Sequence, residues 1–226
     1  WGMNLSVANA GHCLVEIAVT GEKGHIWRPD VVVNPINTAA VLLPLLETMN
    51  FTHVADPFPG HTQPCVTVVR IRGGLPGEMQ FSPDTCVITV AVVGIVPGMT
   101  METILADIGK VTRSVTEESN RINASVSQVA GSLFVEATDP VPMDQEPCIS
   151  LVRSSESLLG QTPVPNRKNA FNDTIRLREF GMNAVTFGPG EDGWAADNEW
   201  ISITKSVAAA KVYALTIMDI LKVSSE

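Results

Sequence analysis

Three short stretches of this chain hold residues whose types and spacing could do chemistry. The first is Phe187-Gly188-Pro189-Gly190, which closes an apolar run and stands just ahead of Asn198-Glu199. Glycine has no Cβ, so the backbone amides of such a turn can approach an anionic group closely. The second is Gly24-His25-Ile26-Trp27-Arg28-Pro29, followed by Asn34-Pro35-Ile36. On the residues alone its imidazole is a loop histidine without a role. The third is Gly73-Gly74, followed by Gln80-Phe81-Ser82-Pro83. On the residues alone the Gln80 carboxamide belongs to a polar hairpin loop. His12, His53 and His61 are scattered and have no metal-ligand spacing. The four cysteines, at 13, 65, 86 and 148, form no CxxC and read as buried thiols.

Regular elements must position these stretches. Residues 13–20 alternate as a strand. Asn34 can cap a helix with Pro35 at its first position and Ile36, Ala39, Ala40, Leu43 and Leu46 at helical spacing. Pro44 should kink or shorten it. Residues 66–72 read as a strand ending at Gly73-Gly74, and 85–93 as a β-branched strand stopped by Gly94. Thr100 can cap a helix with Met101, Ile104, Leu105, Ile108 and Val111 on one face. A fourth strand is expected within 121–138, most visibly at 133–137. Strand–helix–strand–strand–helix–strand is the split βαβ order of ferredoxin-like domains, with a four-stranded antiparallel sheet and two helices on one face. The rest reads as α/β. A helix follows Asp144 with Ile149, Val152, Leu158 and Leu159, a polar loop spans 161–174, and Asn183–Phe187 form a short strand. The final helix carries Ile203, Val207, Ala210, Ala214, Ile217 and Leu221 on one stripe. The expected division is 1–120 and 121–226.

With 226 residues, 45% hydrophobic and 17% charged, the chain is globular and long enough for two cores. A net charge of −9 argues against nucleic acid and anionic membranes as partners. Without a recognisable signal peptide the expected location is cytoplasmic. The chain starts Trp1-Gly2-Met3 and is expected to be part of a longer polypeptide.

Taken in order, these motifs resemble the dinuclear-zinc amidohydrolases and exopeptidases, the family of aminoacylase, carboxypeptidase G and succinyl-diaminopimelate desuccinylase. The resemblance implies a ferredoxin-like lid (dimerisation) domain followed by the C-terminal portion of a zinc-peptidase-like α/β catalytic domain. It implies that His25 is catalytic, polarising the scissile carbonyl, usually in the partner subunit's site. It gives Gln80, in place of the family's Asn, and Gly188, Pro189 and Gly190 as substrate-binding residues. Three positions depart from the family pattern. Gln80 is one methylene longer, Gly94 stands where a carboxylate-gripping Arg is found, and Ala195 stands at the family's zinc-ligand His. Arg70 and Arg72 are the nearby candidates to replace the missing Arg. Asp173 is expected to cap or pair locally. The family uses two zinc ions, and its other ligands would precede Trp1, so none is expected on this chain alone. The implied partners are a second copy, through the lid, and a small amide or peptide substrate. The implied function is amide-bond hydrolysis by a peptidase, deacylase or carbamoyl-amidase. The alternative is a non-catalytic homologue kept for dimerisation or small-molecule binding.

Overall fold

The computed structural model describes residues 2–58, 63–74, 76–117, 119–190 and 196–223. Its elements run β1 (Leu5–Asn9), β2 (Gly11–Thr20), β3 (Gly24–His25), α1 (Pro35–Thr48), β4 (Cys65–Gly73), β5 (Phe81–Ser82), β6 (Thr85–Ile95), α2 (Met101–Thr116), β7 (Asn123–Gln128), α3 (Cys148–Leu159), β8 (Pro165–Lys168), α4 (Thr174–Glu179), β9 (Thr186–Phe187) and α5 (Ile203–Leu221). They form two compact units. One comprises Gly11–Asp56 and Thr62–Ala137, the other Trp1–Ala10, Pro57–His61 and Thr138–Glu226. This differs from a single cut at residue 120. β7 lies beyond that point yet pairs with β2, while β1 pairs with β8 and β9 from the C-terminal part.

In the first unit the antiparallel sheet has the order β4-β6-β2-β7. That is the second, third, first and fourth strand of the split βαβ pattern, as expected for a ferredoxin-like domain. Period-two alternation buries Cys13, Val15, Ile17 and Val19 on β2 and Cys86, Ile88, Val90 and Val92 on β6. The helices cover that same face through Ala39, Leu42 and Leu46 on α1 and Ile104 and Ile108 on α2. Each fully buried Leu or Ile there contributes about 1.5–3 kcal/mol. Asn34 caps α1 by accepting from the Ile36 amide. The helix runs through Pro44 to Thr48, whose hydroxyl donates to the Pro44 carbonyl at 2.7 Å. Its buried stripe is Ala39, Leu42 and Leu46, and Ile36 and Ala40 face outward. Thr100 and Thr103 close a reciprocal capping box at the start of α2.

Two expectations change here. β6 does not stop before Gly94 but continues to Ile95. The fourth strand is Asn123–Gln128, and 133–137 supplies only a bridge between Val135 and His12. β7 is an edge strand that needs only Ala124 and Val126 on the core side, so its apolar signal is weak.

In the other unit β1 is the central strand, parallel to β8 and antiparallel to β9. The expected loop at 161–174 therefore contains a strand, and only Thr186–Phe187 of the expected 183–187 strand is paired. Leu5, Val7, Val141, Cys148, Leu151, Phe187, Ala209 and Val212 form this unit's core. α5 buries Ala209, Val212 and Thr216. Its expected inner stripe faces out instead, with Ile203 81% and Leu221 67% exposed. Among the described residues no helix is long and apolar enough to cross a membrane.

Candidate functional site

The ferredoxin-like unit brings two of the sequence-derived candidates side by side. β3 and β5 pair antiparallel, Gly24 with Ser82 and His25 with Phe81. Each strand runs into or out of a tight turn. The Arg28 amide donates to the His25 carbonyl at 2.8 Å, and the Phe81 amide donates to the Glu78 carbonyl at 3.4 Å. The Ile26 amide donates to the Gln80 carbonyl at 3.0 Å, laying one turn against the other. The Trp27 amide donates to His25 Nδ1 at 3.3 Å, so in the neutral ring the proton sits on Nε2. The imidazole meets the Phe81 ring edge-on, with centroids 5.1 Å apart.

Ion pairs tie the ribbon's base. Lys23 Nζ lies 2.6 Å from Glu78 and 5.3 Å above the Phe81 ring, and the hydrogen bond to Glu78 raises its pKa. Arg121 donates to both carboxylate oxygens of Glu22 and to the Val31 carbonyl, and this holds the Glu22 carboxyl below its ordinary range. The loop that carries His25 is thereby fastened to the start of β7.

Gly94 lies elsewhere. The register of β2 against β6 shifts between Gly11 and His12, which pair with Ile95 and Val93, so Gly94 is the extra residue of a bulge. Its φ of +72° is the left-handed conformation that glycine adopts without strain. The ribbon joins the opposite end of the sheet, where the Gly21 amide donates to the Asp84 carbonyl. From Thr85 to Gly94 the strand covers about 30 Å. Arg70 pairs with Thr89 and donates to its hydroxyl at 3.3 Å, and Arg72 pairs with Val87. Five residues of strand, about 16 Å, separate Thr89 from Gly94, so neither arginine stands in for a side chain at Gly94.

The Gly188–Gly190 turn belongs to the other unit. Leu5 pairs with Phe187, and the Gly2 and Met3 amides donate to the Gly190 and Gly188 carbonyls at 3.2 and 3.3 Å. The Tyr213 hydroxyl on α5 donates to the Phe187 carbonyl, and its ring meets Phe187 edge-on at 6.0 Å. Gly188 has φ +146°, and a Cβ there would lie 3.3 Å from the Tyr213 oxygen. Burial pushes the Tyr213 phenol pKa up, so it stays a donor. Ala195 and His61 lie outside the described residues.

Among the described residues no group of three or more His, Cys, Asp or Glu is placed to hold a metal ion. These side chains do not fit a two-zinc site, and no step below is assigned to a metal. His53 Nδ1 lies 2.9 Å from the Phe51 carbonyl, a local contact. The cysteines are free. Burial raises the Cys13 thiol to about 11 and also raises Cys86 and Cys148, which leaves them poor nucleophiles.

A polar network around β1 was not legible in the sequence. The Asn9 amide nitrogen donates to Asn172 Oδ1 at 3.0 Å, and its oxygen accepts from the Thr174 hydroxyl at 2.9 Å. Asn172 also donates to the Thr186 hydroxyl and accepts from the Thr174 amide. The local capping expected of Asp173 thus falls to its neighbour, since Asp173 makes no side-chain cap bond to α4. Arg167, 3% exposed, donates to the Asn9 and Thr138 carbonyls, and Arg178 to the Val7 carbonyl and Thr138 hydroxyl. The triplet Asn-Asp-Thr at 172–174 was the only available signal.

Comparison with known proteins gives the context. Residues 7–120 match the family model described as the peptidase dimerisation domain. Acetylornithine deacetylase of Myxococcus xanthus is 25% identical over 81% of this chain and 46% of its own length. Succinyl-diaminopimelate desuccinylase of Helicobacter hepaticus is 23% identical over 94% of this chain and 50% of its own. The structure of a di-peptidase from Saccharomyces cerevisiae superposes with a TM-score of 0.71 at 13% identity, covering 100% of this chain and 57% of that one. The chain spans about half the length of the curated relatives it matches.

Proposed function

Because this chain belongs to the peptidase dimerisation domain family, we propose that it is the lid and C-terminal catalytic portion of an amide-bond hydrolase of peptidase, deacylase or carbamoyl-amidase type. The observation that supports this reading is the ribbon that lays the turn after His25 against the turn that holds Gln80. With Nδ1 occupied by the Trp27 amide, the Nε2 proton is the one free to meet the oxygen that gains negative charge when water attacks the amide carbon. The Gln80 carboxamide holds a polar substrate group, and the backbone amides of Gly188 and Gly190 bind an anionic group. The two zinc ions of the resembled family would be held by residues outside this chain, and no described side chain takes a role toward them.

The lid pairs with a second copy, and His25 serves the partner's site. The nine-residue edge strand β4, with Val69 and Ile71 exposed, offers an unpaired row of backbone groups for that contact. The outward apolar stripe of α5 packs under the rest of the catalytic domain. The protein works in the cytoplasm.

The test uses the full-length gene product, dialysed and analysed for metal, then assayed against N-acetyl amino acids, dipeptides and carbamoyl amino acids. About two zinc ions per chain and a turnover that His25→Ala lowers about 10²–10³-fold are expected. A protein that holds no zinc and cleaves none of these overturns the hydrolase reading. It would favour the second one, a binding or assembly homologue, for which Gly94 and Ala195 already speak.

A further inference from the structure

The two turns that carry His25 and Gln80 also present large apolar side chains to water. Trp27 is 82% and Met79 86% exposed, the highest values among the described large hydrophobic residues. Neither packs in the core of its unit. A solitary exposed apolar residue is ordinary, but here several cluster on one built feature. Ile26 and Trp27 are the central residues of the first turn, and Met79 and Gln80 of the second. The Ile26–Gln80 backbone bond fixes one turn against the other. Phe81, half exposed, backs the His25 ring from the adjoining strand.

The charge of the ribbon indicates what it receives. Its two cations each have a carboxylate partner, Lys23 with Glu78 and Arg28 with Asp30 through two bonds of 3.1 Å. A ligand carboxylate arriving here would have to break one of these pairs. An uncharged apolar group meets only the indole, the thioether and the Ile26 side chain.

We propose that Trp27 and Met79 form an apolar platform beside His25 that receives the uncharged, apolar side chain of an amide substrate and so sets substrate preference. The inference rests on the hydrolase reading for its placement, but binding can be tested apart from turnover. In the full-length protein, kcat/KM is compared for N-acetyl-phenylalanine, N-acetyl-leucine and N-acetyl-glycine in wild type, Trp27→Ala, Met79→Ala and Trp27→Phe. The phenylalanine-over-glycine preference should fall about tenfold in Trp27→Ala, less in Met79→Ala, and be largely kept in Trp27→Phe. A preference unchanged in both alanine variants overturns the platform.

Saturation-transfer NMR with N-acetyl-phenylalanine amide and N-acetyl-glycine amide, read from spectra in which the probe is still intact, forms a second arm. Binding of the phenylalanine probe that Trp27→Ala removes supports the platform even if no substrate is hydrolysed, which separates its fate from that of the hydrolase reading. Equal binding of both probes overturns it. So does a dimer that dissociates in the alanine variants, by sedimentation, without any change in preference, because the face would then belong to a second copy.

Discussion

Replacing His25 with alanine separates a catalytic role from a structural one, because the structure makes the two costs very different. The ring meets Phe81 edge-on at 5.1 Å, a contact worth about 0.5–1.5 kcal/mol. Its Nδ1 accepts from the Trp27 amide, and Trp27 is exposed enough for water to take over that bond. The backbone bonds that shape the ribbon run between main-chain atoms and survive the change. The variant should therefore lose about 1 kcal/mol of a stability of roughly 5–15 kcal/mol and remain folded. Loss of a donor aimed at a developing oxyanion costs about 10²–10³ in kcat, or roughly 2.7–4 kcal/mol. Turnover of an N-acetyl amino acid by the full-length protein, read alongside a urea unfolding curve, gives both numbers. A fall in kcat of less than about tenfold in a folded variant refutes the assignment, because a preorganised donor cannot contribute so little. A collapse of the unfolding curve refutes the claim that the ring is structurally dispensable.

Acid should weaken the ferredoxin-like unit through Asp107. Burial pushes this carboxyl's pKa up, but hydrogen bonds from Lys110 at 2.7 Å and from the Thr52 amide and hydroxyl outweigh it, leaving the pKa below its ordinary value. A depressed folded pKa means stability that is present above the unfolded value and lost as pH falls through the folded one. The urea midpoint should drop below about pH 4 in wild type and show a flatter acid limb in Asp107→Asn. Gly94→Arg should cost about 1–2 kcal/mol, because an L-residue must hold φ near +72° at the bulge. An unchanged melting temperature would contradict that account. Val207→Lys and Ile217→Lys, on the outward stripe of α5, should shift stability by less than about 0.5 kcal/mol yet reduce self-association of the 226-residue chain in sedimentation velocity. Self-association equal to wild type would mean the stripe is not the sticky face.

The lid was the part most legible in sequence, and the reason is local. Its strands are half-buried, so Cys13, Val15, Ile17 and Val19 announce a period of two, and Thr100 and Asn34 announce helix starts through their own side chains. His25 and Gln80 could be named one by one, but not as neighbours. What joins them is a backbone bond from Ile26 to the Gln80 carbonyl across more than fifty residues of chain, and main-chain bonds leave no mark on side-chain type. β8 was missed because nothing apolar marks it. Pro165-Asn166-Arg167-Lys168 has no apolar alternation, because Arg167 is buried by donating to carbonyls rather than by being apolar.

α5 shows the opposite failure, a strong pattern attached to the wrong surface. Ile203, Val207, Ala210, Ala214, Ile217 and Leu221 step by four and three in strict alternation, as regular a seam as a helix can display. Within its own unit the helix buries Ala209, Val212 and Thr216 instead, a face with a polar member and smaller side chains. Thr216 is tolerated because its hydroxyl donates back to the Val212 carbonyl at 2.8 Å. Periodicity therefore reported correctly that this helix has an apolar face, but not which neighbour that face meets. A helix apolar on more than one side belongs between two layers. Among the described residues its own unit covers only the Ala209, Val212 and Thr216 face, and the chain spans about half the length of the curated relatives it matches.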